Sequence, residues 1–259
     1  MTATNQAMFA DATAYQQFMG RYADKLALEF VAAAETAPGQ RILDVGCGTG
    51  ALTAILADVA GAESVAGVDP SPPFVEEARR RVPGADLRVG PAESLPFEDD
   101  SFDRALSQLV FHFVSDPRAA ADEMARVTRP GGKVASCVWD MTGGMTMLRA
   151  YWDAAADADV PREDEVERWG GRPGQLAALW HEAGLTDVAD TTLTVSSQYE
   201  SFDELWGSMS RSVGPVGAHA SGLTDEQRDE VREALRRRVG SPDGTFSLTA
   251  SAFCVVGTA

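Results

Sequence analysis

No apolar run in the 259 residues approaches the ~20 that a membrane-crossing helix needs, so no membrane partner is expected. The opening stretch MTATNQAMFADATAY has no basic segment followed by an apolar one; no secretory leader is read there, and the expected location is cytoplasmic. Cysteine is scarce. Cys47, Cys137 and Cys254 are odd in number, have no metal-ligand spacing and lie in apolar or glycine-rich stretches, which argues against a disulfide framework and a metal site and leaves structural thiols. Positive charge is in deficit: 22 Lys and Arg against 39 Asp and Glu give a formal −17, which repels a phosphate backbone and argues against nucleic acid. A small-molecule substrate fits better. Internal repeats and low-complexity tracts are absent, and nothing in the chain sets its oligomeric state.

Between about residues 40 and 140, short β-rich runs alternate with helical patterns, the mark of a parallel sheet covered by helices. RILDVG (41–46), SVAGVD (64–69), DLRVG (86–90), FDRALSQLV (102–110) and KVASCVWD (133–140) read as five strands, with RPGG ending the helix before the last. Beyond residue 140, helical patterns at 145–158, 172–185, 201–213 and 224–239 interrupt two further strand-like runs, VADTTLTVSSQY (188–199) and TFSLTASAFCVVG (245–257). Ser201 with Glu204 and Thr224 with Gln227 have capping-box spacing. GPVGAHASG (214–222) reads as the most linker-like loop.

DVGCGTG (44–50) places glycine at every second position between the first strand and its helix. Bare backbone at a helix N-terminus, on the carboxyl edge of a parallel sheet, is where open α/β sheets bind ligands. Gly46, Gly48 and Gly50 are therefore expected to line a cofactor groove. Asp69 ends the second strand 19 residues after Gly50, where a carboxylate can accept the hydroxyls of a ribose.

Four segments in order, LDVGCGTGALT, VDPS, GPAESLPFEDDSFD and EMARVTRPGG, resemble the motifs of class I S-adenosylmethionine-dependent methyltransferases, notably the small-molecule group with the quinone and sterol methyltransferases. The resemblance spans about residues 38–140, and FMGRYADKLALEF is similar to a helical lead-in of bacterial members. It implies an α/β, Rossmann-like, seven-stranded, mostly parallel sheet with helices on both faces and helical lid insertions. The implied layout is an N-terminal helical lid at 1–37, a cofactor-binding core at 38–140, and a remainder at 141–259 that completes the sheet and carries cap insertions at about 141–170 and 201–240. The implied cofactor is S-adenosyl-L-methionine. Its contacts would come from Asp44, Gly46, Cys47, Gly48 and Gly50, from Asp69 and Pro70, from Ala92 and Glu93 at the adenine edge, and from Ser107, Gln108 and Leu109 beside the methionine moiety. Pro91 stands where many relatives carry an acid, so adenine is left to Glu93 or to water. Tyr15 and Arg21 are candidate lid residues, since a guanidinium fork suits a carboxylate; a surface arginine beside a packing tyrosine is the equal alternative.

Methyl transfer is a displacement at a carbon that alignment and exclusion of water can accelerate, and a general base helps when the acceptor is a hydroxyl or an acidic carbon. His112, just after the fourth strand, and His219, in the 214–222 segment, are the candidates, with a packing role as the heavier alternative for both. His181 reads as an exposed helix residue. Trp139, Phe202 and Trp206 are candidates for an apolar substrate wall, with packing of their own elements as the alternative. The chain also allows a non-catalytic S-adenosylmethionine-binding regulatory protein. An NAD(P)-dependent oxidoreductase is disfavoured by the G-x-G-x-G spacing and by the absence of a Tyr-x-x-x-Lys pair.

Overall fold

The protein is described from a computed structural model over residues 16–161, 169–210, 214–240 and 243–259. Among these residues the strands are β1 (Ile42–Val45), β2 (Val65–Asp69), β3 (Asp86–Val89), β4 (Phe102–Gln108), β5 (Thr128–Trp139), β6 (Thr186–Tyr199) and β7 (Phe246–Thr258). They form one sheet in the order β3-β2-β1-β4-β5-β7-β6. Pairing is parallel from β3 through to β5, and β7 runs antiparallel to β5. The helices are α1 (Arg21–Ala33), α2 (Ala51–Ala60), α3 (Pro72–Arg81), α4 (Pro117–Val127), α5 (Thr146–Asp157), α6 (Gln175–Glu182), α7 (Phe202–Met209), α8 (Gly214–Gly222) and α9 (Asp225–Arg238).

β1 and β2 are buried at every residue, as expected of parallel strands covered on both faces. From β1 the chain steps outward through β2 to β3, then returns to the other side of β1 as β4. The carboxyl ends of β1 and β4 therefore flank the topological switch point, where such sheets hold their ligands. One face packs Leu43, Val45, Val68, Val134 and Val138 against Ala120 and Met124 of α4 and Leu179 and Trp180 of α6. Asp44, Gly67 and Cys137, of opposite parity, turn to the other face.

The chain divides into two compact units. One holds the described residues of Leu26–Trp139, Arg168–Leu193 and Ala252–Ala259. In it Asp116 caps α4, its carboxylate accepting from Ala119 N at 3.0 Å with Pro117 in the first turn, as Asp-Pro predicts. The other unit holds the described residues of Met1–Lys25, Asp140–Glu167 and Thr194–Ser251. There α5 and α9 pack together, with Leu148 and Trp152 buried on the first and Val231 and Leu235 on the second, and Arg238 clamps both oxygens of Asp157 at 2.8 Å. Thr224 and Gln227 form the full capping box. At Ser201 only half forms: its hydroxyl takes Glu204 N, while the Glu204 carboxylate takes the N–H of Glu200 instead.

Two segments differ from the sequence reading. RPGG does not stand outside β5: the register passes from Phe102↔Thr128 to Arg104↔Lys133, so four residues bulge against one. Pro130 has no N–H to donate to the ladder, Gly131 takes φ +79, and the bulge bonds the chain end through Gly131 N to Ala259 O at 2.9 Å and Ala259 N to Gly132 O at 3.0 Å. GPVGAHASG is the helix α8 rather than a loop. Its glycines and proline have low helix propensity, but Val216, Gly217 and Ala220 are buried on one side, and close packing overrides propensity there.

Candidate cofactor site

The turn after β1 is pinned by backbone bonds to β2. Gly46 N and Cys47 N both donate to Val68 O, at 2.8 and 3.0 Å, and Gly50 N returns to Cys47 O at 2.8 Å. Gly46, Gly48 and Gly50 all have positive φ, at +80, +53 and +84, where a Cβ is strained. Only one of them clears space for something other than protein. A Cβ on Gly46 would lie 2.3 Å from Val110 Cγ2, and one on Gly50 3.1 Å from Ala78 Cβ of α3, whereas one on Gly48 meets nothing within 4 Å. In the direction of the missing Cβ, Gly46 and Gly50 thus admit the chain's own atoms, and Gly48 presents bare backbone to open space. Cys47 is buried with Val75, Ala78 and Leu87, and burial, with the negative charges of Asp44 and Asp69, pushes its thiol up.

Two buried carboxylates flank this turn. Asp69 Oδ2 accepts from Gly48 N at 3.0 Å and Oδ1 from Ser71 N at 2.8 Å, so one side chain ties the glycine turn to the start of α3. Burial pushes its carboxyl up, and the two N–H donors oppose that. Asp44, 1% exposed, accepts from Thr53 Oγ1 at 2.7 Å. Burial raises its carboxyl to about 7; Thr53 opposes the shift and the neighbouring Asp69 charge adds to it. Among the described residues neither acid forms an ion pair. Thr53 was not singled out as a site residue, although it closes the motif LDVGCGTGALT.

Across the switch point, the end of β4 carries a backbone irregularity. Leu109 has φ +62, a strained value for a leucine, held by its N–H donating to Cys137 O at 2.8 Å. That turn carries Val110 to Gly46. Ser107 is fully buried, its Oγ is unpartnered among the described residues, and its carbonyl accepts from Ser136 Oγ at 3.0 Å; Gln108 is half-buried. His112 Nδ1 lies 2.7 Å from the Trp169 carbonyl, which can only accept; Nδ1 must carry the proton and Nε2 is the basic nitrogen. Phe111 sits beneath it between Trp169 and Trp180, with ring centroids at 5.8 and 5.5 Å. Trp169 lies 57 positions from His112 in a segment with no periodic signal, and nothing in the sequence pointed to it.

The remaining candidates of this unit are placed less directly. Ala92 is buried in the core, Pro70 is exposed, and Glu93 Oε1 accepts from Ser115 N at 2.9 Å, bracing the loop ahead of α4. Trp139, 6% exposed, ends β5 opposite Ala252.

Arg21, Phe202, Trp206 and His219 belong to the other unit, and Tyr15 lies outside the described residues. The Arg21 guanidinium donates to Ser197 Oγ at 2.9 Å and Gln198 O, pairs with Glu204 at 3.0 Å and stacks 4.0 Å over the Tyr199 ring. Its fork is taken up by the chain itself, which favours the packing alternative for this residue. Phe202 is buried beneath Arg232 and Arg236, again as packing, while Trp206 is half-buried beside Tyr151. His219 lies on the last turn of α8, its Nδ1 2.8 Å from Tyr151 Oη and its Nε2 2.7 Å from Pro161 O. With both nitrogens bound and Trp152 at 5.0 Å, His219 is built into its surroundings.

Comparison with known proteins places this turn in context. A family model described as a methyltransferase domain matches residues 43–136. The demethylmenaquinone methyltransferase of Paenarthrobacter aurescens is 31% identical over 218 residues, covering 79% of this chain and 78% of that protein. A 37.1 kDa protein in transposon Tn4556 of Streptomyces fradiae is 33% identical over 181 residues, 64% of this chain, but the chain spans only 49% of that relative. Among solved structures, a candidate type II methyltransferase from Anaeromyxobacter dehalogenans matches with a TM-score of 0.62 at 24% identity, covering 92% of this chain and 97% of the other. That likeness is one of fold.

Proposed function

Because this chain belongs to the class I S-adenosylmethionine-dependent methyltransferases, we propose that it methylates a small-molecule acceptor and that the Gly48 turn, Asp69 and Asp44 form its cofactor cradle. One observation carries the site assignment: Gly48 is locked by its N–H to Asp69, and the position a Cβ would occupy opens onto space rather than protein.

The residues present suit the group. Each Asp69 oxygen already accepts one N–H and retains a lone pair for a ribose hydroxyl, so the side chain can hold turn and ligand together. Asp44 is a buried carboxylate with neutral partners, an arrangement that a cationic ligand relieves. When bound, S-adenosylmethionine supplies a methyl group on a positively charged sulfur leaving group. The chain's part is to position and to manage protons. The Leu109 turn fixes the β4 end against the glycine turn through Val110. His112, oriented by the Trp169 carbonyl, offers Nε2 as the acceptor of a proton from the substrate. A small acceptor agrees with the acidic net charge and with the activity for which the Paenarthrobacter relative is named.

The test is thermal unfolding of the full chain with S-adenosylmethionine, S-adenosylhomocysteine or NAD. The proposal expects stabilisation by the two adenosyl compounds, and stabilisation by NAD alone overturns it. Labelled cofactor added to small-molecule extracts then reports whether an acceptor is methylated.

A further inference from the structure

Cys137 on β5 and Cys254 on β7 are register partners in the antiparallel pair, so their side chains leave the sheet on the same face. The ladder bonds around them fix what kind of partners they are. Asp140 N donates to Ser251 O at 2.9 Å at one end, and Ala259 N to Gly132 O at 3.0 Å at the other. Between these ends the register runs unbroken from Lys133↔Thr258 to Trp139↔Ala252. The even-numbered residues of β5 therefore carry the hydrogen bonds, and the odd-numbered ones, Cys137 included, face their partners without one. In such a pair the Cα atoms stand ~4.5 Å apart, within the ~4.4–6.8 Å that a disulfide spans. Both thiols are free and fully buried. Cys47 sits elsewhere, against Val75, Ala78 and Leu87.

The pair adjoins the turn at the end of β4. Gln108, the last residue of β4, is the register partner of Cys137 on its other side, and the Cys137 carbonyl takes the N–H of Leu109 at 2.8 Å. That bond holds the strained turn that delivers Val110 to Gly46. Opposed side chains on paired strands have Cβ atoms ~4.5–5.5 Å apart, whereas a disulfide draws them to ~3.8 Å. A cross-link therefore pulls β5 toward β7 and loads the bond from Leu109.

We infer that Cys137 and Cys254 are a reversible dithiol–disulfide site, closed by exchange with a small-molecule disulfide, and that closing it weakens cofactor binding. Only the second half rests on the cofactor reading above. One cysteine, as thiolate, attacks a sulfur of the small disulfide and expels a thiolate; the other then attacks the mixed disulfide and expels the second. One S–S bond breaks and one forms. The cysteine pair is oxidised by two electrons, the small disulfide is reduced by two, and the cysteine protons end on the two expelled thiols. Burial pushes both thiols up and keeps them protonated, so exchange waits on local opening of the β5–β7 pair and is slow.

The test incubates the full chain with 2-hydroxyethyl disulfide, alkylates the remaining thiols in denaturant and maps linked peptides by mass. Binding of S-adenosylhomocysteine to the reduced, oxidised and dithiothreitol-treated chain is then measured by titration calorimetry. The expected result is a fall from three free thiols to one, Cys47, with a single link between Cys137 and Cys254. Affinity of the linked chain should be about tenfold lower, the order expected when a hydrogen bond is lost, and dithiothreitol should restore it. Cys254→Ala should form no internal link and lose the effect on affinity; Cys137→Ala gives the same reading if the first variant fails to fold. No link, a link to Cys47, or mixed disulfides alone overturns the inference, and so does a Cys137–Cys254 link that leaves affinity unchanged. A reduced chain that binds no adenosyl ligand overturns the cofactor reading and the second half with it, while the mapped link, read without ligand, decides the first. The two failures are thus distinguishable.

Discussion

The Val110 side chain fills the place that a Cβ on Gly46 would take, with Cγ2 only 2.3 Å from that position. The strained Leu109 turn that delivers Val110 and the left-handed glycine that receives it are two halves of one contact between the ends of β4 and β1.

Gly46→Ala should therefore be destabilising on two counts, a positive φ and an overlap in a closed space, together about 3 kcal/mol in urea unfolding. Adding Val110→Ala should recover the steric part and leave the dihedral part. Gly48→Ala is the contrast: with nothing within 4 Å, its stability cost should be only about 1–2 kcal/mol, while cofactor affinity should fall at least tenfold because the methyl group enters the cradle. Equal stability losses at the two positions would mean that the glycines are not divided in this way.

The glycine spacing, Asp69 and the alternation of strands and helices were legible because each follows from local chemistry: bare backbone where φ is positive, an acid at a strand end, apolar runs where both faces are covered. What the glycines face was not. Spacing gives the same signal whether the missing Cβ leaves open space, as at Gly48, or makes way for Val110 and Ala78. His112 could be located from its strand, but the carbonyl that fixes its tautomer comes from Trp169, brought there by tertiary packing alone. α8 was hidden for the opposite reason, since the small residues that let it pack closely are also those that read as a loop.

The pH dependence of stability follows from Asp44. Its folded value of about 7 stands above that of an unfolded aspartate, ~3.9, so the folded state holds the extra proton between them. Stability from this residue is complete below the unfolded value and is lost as pH rises through the folded one. The loss amounts to at most about 4 kcal/mol. Asp69, also raised, acts with the same sign. Asp44→Asn, which keeps an acceptor for Thr53, should match the wild type near pH 4 and exceed it by about 2–4 kcal/mol above pH 7 in ligand-free urea unfolding. Parallel pH profiles would show that Asp44 is ionised throughout.

Arg21 joins the start of α1 to β6 and α7 through Ser197, Gln198, Glu204 and the Tyr199 ring, with Tyr22 and Tyr199 hydroxyls 3.1 Å apart beside it. Arg21→Ala should cost about 1–3 kcal/mol of stability, since it leaves polar partners unpaired and strips packing from Tyr199. Cofactor affinity of the folded protein should stay within about twofold of the wild type. A tenfold loss of affinity with unchanged stability would return this arginine to the binding site.

Proton removal at His112 can be separated from packing. If Nε2 takes the acceptor's proton, His112→Ala should lower turnover by about a hundredfold while the cofactor dissociation constant is unchanged. The Trp169 carbonyl predicts the neutral tautomer protonated at Nδ1, which nitrogen chemical shifts report directly and independently of activity. The rate should then rise with pH, because Nε2 must be unprotonated to act, and the histidine-free variant should lose that limb. Undiminished turnover in His112→Ala would leave alignment at the cradle, rather than proton transfer, as the source of the rate.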